Sequence, residues 1–331
     1  MSGAGVLRDL VAASVGGERA GWLIGALDLH PSLLAATEAT RAVIAQALGI
    51  LLLDDLLARV PSGAAYAQDR VAGGGRMFLD HGAVRTVTGV PSGELPEGQR
   101  SLTRALEALG YVHRETYDLS RLSMTGRSWC HLDLPQHVPQ YFVSELHADR
   151  FSPAFQAAVA RVLASSQDPL AGVALDRLAE QGWLPQLDAE ALLPALVGCF
   201  ARHHGPPALV DYLTLLAESD EMAWIATEGT VFNHATDRVD DVVARAEAER
   251  AAGRPVKVTV EFSKSGRIIQ TAHRAAAVER TFAGGEVRTV PGSFFEFITR
   301  LPHPDGTGVD LAFDASNAQE IFGMTRGGVP G

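Results

Sequence analysis

The chain has 331 residues, 47% apolar and 20% charged, an ordinary globular composition with enough length to bury a sizeable core. A formal net charge of −11, with no Lys/Arg-rich run, argues against nucleic acid or an anionic membrane as partner. Cys130 and Cys199 are too few for a disulfide framework, the apolar run 45–53 is too short for a membrane helix, and no basic-then-apolar leader pattern opens the chain; the expected setting is the cytoplasm.

Leu7, Leu10, Val11 and Val15 recur at helical spacing, and a longer helical pattern covers 33–60, with a stop expected at Pro61-Ser62-Gly63. The glycine run 73–75 reads as a loop, because no Lys-Ser/Thr follows to complete a phosphate cradle. Over 77–87 the period changes to two: Met77, Leu79, His81, Ala83 and Arg85 alternate with their neighbours as on a strand. A helix over 102–109 closes at Gly110, and strands are expected over 111–117, 129–134 and 140–147. The stretch 152–218 reads as nearly all helix, broken at Asp168-Pro169, Gly182 and Gly205-Pro206-Pro207. Sheet character then returns: a strand over 230–236, a helix over 237–252, and strands over 256–262, 268–271 and 294–299.

The two sheet-rich regions repeat one another. Each opens with His-x-x-x-Arg, as His81-Gly-Ala-Val-Arg85 and His234-Ala-Thr-Asp-Arg238, and each closes on an aromatic strand, Tyr141-Phe-Val-Ser-Glu145 and Phe294-Phe-Glu-Phe297. A helix and further strands lie between in both. The expected fold is α+β: a helical segment over 1–63, a βαβββ module over 64–150, a helical insertion over 151–220, and a second βαβββ module over 221–331.

On strands, His81, Ala83 and Arg85 would share a face, as would His234, Thr236 and Arg238, and Glu296, Ile298 and Arg300. Two imidazoles and a carboxylate make the facial triad of Fe(II) oxygenases, and a neighbouring arginine can grip a substrate carboxylate with two hydrogen bonds. A lone strand histidine is far more often a core residue than a ligand. Glu296 is odder, since a carboxylate among Phe294, Phe295, Phe297 and Ile298 is costly to bury without a cation. Arg238 is equally open to a structural ion pair with Asp237, Asp240 or Asp241. Three decoys compete. His131-Leu-Asp133 matches half of another oxygenase triad, His137 sits in a proline-flanked loop, and His203-His204 suits a helix C-terminus. No His-Glu-x-x-His, Gly-x-Ser-x-Gly, Gly-x-Gly-x-x-Gly or EF-hand loop occurs.

The segments Asp80-His-Gly-Ala-Val-Arg85, Phe142-Val-Ser-Glu-Leu-His147, Phe232-Asn-His-Ala-Thr-Asp-Arg238 and Gly292-Ser-Phe-Phe-Glu-Phe297 resemble the 2-oxoadipate dioxygenase/decarboxylase (hydroxyglutarate synthase) family. The resemblance runs from about Arg76 to the C-terminus outside the helical stretch. It implies the vicinal oxygen chelate fold, a half-open barrel of paired βαβββ modules. It also implies Fe(II) held by His81, His234 and Glu296, with Arg85 on the substrate carboxylate. The implied reaction turns a 2-oxo acid and O2 into a 2-hydroxy acid and CO2. Because such a substrate carries its own oxo acid, no separate 2-oxoglutarate is needed. The segment 316–322 is a candidate for closing the pocket, with no single residue assigned. A metal-dependent isomerase, lyase or ring-cleaving dioxygenase of the same fold is the nearest alternative; a non-enzymatic small-molecule-binding protein is the more distant one.

Overall fold

In the computed structural model, residues 5–314 are described. The first apolar pattern folds as the helices Val6–Val15 and Gly17–Ala26. The expected helix over 33–60 divides. A short turn, Pro31–Leu34, and a two-residue strand, Ala39–Thr40, precede the long helix Arg41–Arg59, whose N-terminus is capped by the Thr40 hydroxyl. That helix is apolar on nearly all sides and buried along most of its length. Pro61 does not end helical structure. It occupies the first turn of a further helix, Pro61–Ala72, where its missing N–H costs nothing.

Among the described residues eight strands form the central sheet, in the order Tyr111–Leu119, Met124–His131, Gln140–His147, Leu79–Thr88, His234–Arg238, Phe294–Arg300, Ile268–Ala272 and Glu261–Phe262. The first four and the last four are the same module. Each module's opening strand lies parallel to its closing strand, and its remaining strands are antiparallel. The two opening strands pair antiparallel at the centre of the sheet. One helix accompanies each module, Arg100–Ala108 and Val242–Ala251. The α+β expectation of paired βαβββ modules in a curled half-barrel is therefore what the chain adopts.

Gly82 shows how closely the central strands are buttressed. A Cβ there would lie 1.6 Å from Cζ of Phe232, so only glycine admits the aromatic ring against this strand. Phe232 is itself wedged beside Tyr141 and Phe200.

Several boundaries differ from the sequence expectation. The helix over 237–252 starts only at Val242, because Asp237 and Arg238 continue the strand and Asp241 caps the helix by accepting from the Val243 and Ala244 amides. The strand over 129–134 instead runs Met124–His131, and the one over 256–262 shrinks to Glu261–Phe262 plus a bridge at Val256. Helical structure passes the expected limit at 220 into a further helix, Asp220–Glu228, in which every residue after the first is buried. A hairpin, Ala277–Thr281 with Val287–Pro291, was not expected; its residues are mostly exposed and half of them are polar, with no sustained apolar alternation to mark it. Among the described residues no helix is long and apolar enough to cross a membrane.

Candidate metal centre

Cross-strand register brings the candidate residues into one neighbourhood. His81 lies opposite Thr236, Thr236 opposite Glu296, and His234 opposite Ala83, two residues along. The Thr236 hydroxyl donates to Glu296 Oε1 at 3.1 Å and stands 3.1 Å from His81 Nε2. His81 Nε2 is 3.4 Å from Glu296 Oε1, and the two imidazole rings meet edge to face at 5.5 Å. One potential ligand atom from each of His81, His234 and Glu296 lies within 4.8 Å of the others, and all three residues are buried.

The donor set suits a divalent cation. Among the described residues, neither ring nitrogen of His234 nor Oε2 of Glu296 has a hydrogen-bond partner, although all three atoms are buried. Polar atoms left so are costly, and a cation between them removes the cost. Burial pushes the His234 imidazole down to about 4, leaving it neutral with a free lone pair. Burial opposes ionisation of Glu296, but His234 and His81 beside it pull its carboxyl below the usual range. Burial also opposes charge on His81; the hydrogen bonds to Asp80 and Glu296 prevail and raise its pKa.

Arg85 follows on the His81 strand and is fully buried. Its guanidinium pairs with Glu221 at 2.9 Å and lies 4.5 Å over the Trp224 ring, both on the helix Asp220–Glu228. It is close enough to His234 to help depress that imidazole.

A family profile for 2-oxoadipate dioxygenase/decarboxylase matches residues 56–311 of this sequence, most of its length. The chain belongs to the 2-oxoadipate dioxygenase/decarboxylase family. Among solved structures it is similar to a protein from Ralstonia eutropha JMP134 assigned to the glyoxalase superfamily, at 50% identity and TM-score 0.89, over 94% of this chain and 98% of that one. It shares its fold with hydroxyglutarate synthase from Oryza sativa in complex with 2-oxoadipate (20% identity, TM-score 0.71, 91% of this chain and 96% of that one). The same holds for hydroxyglutarate synthase from Pseudomonas putida in complex with 2-oxoadipate (19% identity, TM-score 0.64, 87% and 74%). No curated protein matches.

In this member of the dioxygenase/decarboxylase family the decoy histidines have structural partners. His131 Nδ1 accepts from the Asp133 and Leu134 amides while Asp133 pairs with Arg41, so the His-x-Asp pair is a turn. His137 packs against His30. His203 bonds the carbonyl of Gly198, the last residue of the helix Gln186–Gly198, as a C-terminal cap does. Arg238 does form a structural ion pair, but with Asp80 at 2.6 Å and not with Asp237, Asp240 or Asp241. Burial would push the Asp80 carboxyl up, yet Arg300 and Arg238 hold it well below the usual carboxylate range.

Four groups near the site were missed from sequence: Asp80 as partner of His81, Glu221 and Trp224 around Arg85, and Phe313, whose ring meets the His81 ring edge-on at 4.8 Å. Only Asp80 carried a signal, its adjacency to His81. The expected pocket-closing segment 316–322 lies outside the described residues.

Proposed function

We propose that this chain is a non-haem Fe(II) enzyme that decarboxylates and hydroxylates a 2-oxo acid, 2-oxoadipate or a close relative, at the expense of O2. The observation that carries this is the convergence of two buried imidazoles and a buried carboxylate on one face of the sheet, with His234 and Glu296 Oε2 lacking partners among the described residues. Fe(II) held by His81, His234 and Glu296 would supply the redox chemistry with O2, and three protein donors leave positions for a chelating oxo acid.

The residues divide the remaining work. His234, neutral through burial, offers a lone pair at no cost in deprotonation. Thr236 holds Glu296 Oε1, which would leave Oε2 available to ligate a cation. Arg85 is the group for the substrate's second carboxylate, where a guanidinium can make two parallel charge-assisted bonds. Glu221 and Trp224 fix its plane. The buried setting excludes bulk water, which strengthens each of these interactions. Membership of the family, and the 2-oxoadipate complexes of the similar rice and Pseudomonas putida proteins, support that substrate class.

The atoms balance for 2-oxoadipate: it combines with O2 to give 2-hydroxyglutarate and CO2. The bond between the first carboxylate and the keto carbon breaks, the keto carbon becomes the new carboxylate, and the adjacent carbon gains the hydroxyl. Protein purified without oxygen and loaded with Fe(II) should consume O2 and release CO2 in equal amounts with a dicarboxylic 2-oxo acid. CO2 release without O2 uptake, or no turnover across a panel of 2-oxo acids, would reject the proposal.

A further inference from the structure

The strand alternation breaks once beside the candidate metal centre. Pairing between Leu79–Thr88 and His234–Arg238 shifts register between Leu79 and His81, leaving Asp80 as the extra residue of a bulge. On a regular strand Asp80 and His81 would point to opposite faces. Here they are joined: His81 Nδ1 donates to Asp80 Oδ1 at 2.7 Å, with both side chains buried.

Asp80 is clamped from the other side. Arg238 Nε bonds Oδ2 at 2.6 Å, and Arg300 Nε lies 3.0 Å from each carboxylate oxygen. Arg300 is itself anchored, since its Nη1 donates to the carbonyls of Asp310 and Ala312. The next residue, Phe313, covers His81 and takes the Arg300 guanidinium over its ring at 5.2 Å. The two arginines thus hold the carboxylate against His81. With Nδ1 committed as a donor, the ring presents Nε2 toward Thr236 and Glu296.

We propose that Asp80 is a positioning residue of the metal centre, fixing the orientation and tautomer of His81 so that Nε2 is the ligating nitrogen. The inference rests on the metal reading above. Carboxylates behind ligating histidines act in this way, and their loss typically weakens metal binding by about 10–100-fold. A merely structural Asp80 would hold two arginines without affecting the metal.

The test compares wild type with Asp80→Asn, both stripped of metal and titrated anaerobically with Fe(II), and with Co(II) followed by its visible absorption. Weaker binding of both metals by about 10–100-fold, with a changed Co(II) spectrum in a variant that still melts cooperatively, is expected. Unchanged affinity and spectrum would overturn the inference. Should Asp80→Asn fail to fold, wild type decides: nitrogen NMR of the Zn(II)-loaded protein, assigned with His81→Gln, should show His81 metallated at Nε2 and protonated at Nδ1. Metal on Nδ1 would overturn the inference while leaving the metal centre standing. If wild type binds none of these metals, the reading of the site falls and the inference with it.

Discussion

Replacing Gly82 by alanine should damage the protein out of proportion to one methyl group. The new Cβ would lie 1.6, 1.8 and 2.4 Å from three ring carbons of Phe232, where ordinary contact needs about 3.5–4.0 Å. The ring must retreat by roughly 2 Å, yet it is buried and flanked by Tyr141 and Phe200. Over-packing commonly costs about 1–3 kcal/mol when neighbours can shift a little. Expelling an aromatic ring altogether costs about 3–5 kcal/mol, the usual range for Phe→Ala. Gly82→Ala should therefore lose about 3–5 kcal/mol, a large share of a typical stability of about 5–15 kcal/mol. Urea unfolding followed by circular dichroism measures this, and a double-mutant cycle identifies the cause. Phe232→Ala should be costly alone, but adding Gly82→Ala to it should cost little, because the methyl enters the vacated space. Gly82 follows His81 and Phe232 precedes His234 by two residues, so the single variant should also bind metal more weakly. A loss below about 1 kcal/mol for Gly82→Ala, or strict additivity in the double variant, would refute this account of the central strands.

Arg85→Lys should keep metal binding but lower kcat/KM for a dicarboxylic 2-oxo acid by about 10–100-fold, the worth of one charge-assisted hydrogen bond of roughly 1.5–3 kcal/mol; unchanged kinetics would remove Arg85 from the substrate's path. A divalent metal at 100 times its dissociation constant should stabilise the fold by about 2.7 kcal/mol, reversibly with a chelator, and Glu296→Gln should abolish most of the gain in thermal melts. Burial raises the Asp237 carboxyl to about 7, against the hydrogen bonds from Tyr66 and the Phe78 amide. Because the folded state then holds a proton that the unfolded chain gives up near 3.8, this group's contribution is fully present below about 4 and is lost as pH rises through about 7. Urea midpoints from pH 4 to 8 should fall more steeply for wild type than for Asp237→Asn, and equal slopes would contradict this placement of the proton.

The faces occupied by His81, His234 and Glu296 were legible because alternation with a period of two is a property of each strand alone, and because the two modules repeat the same His-x-x-x-Arg opening. Asp80 was not legible as a neighbour of Arg300, since a bulge arises from how two strands pair. Arg238 was expected to find a carboxylate nearby in sequence, but in the folded chain the nearest one is 158 residues away. The helix Asp220–Glu228 carries Glu221 and Trp224 to Arg85, yet it is buried on every side, so no amphipathic pattern set it apart. Pro61 misled for a simpler reason: the same residue that ends one helix is well suited to begin the next.

Isotopic oxygen tests the central proposal most directly. With Fe(II)-loaded protein, 2-oxoadipate and labelled O2, mass spectrometry of the hydroxy acid should find one labelled atom in the new hydroxyl and one in the new carboxylate. An unlabelled product, or product that keeps forming under strict anaerobiosis, would contradict oxygenase chemistry at His81, His234 and Glu296.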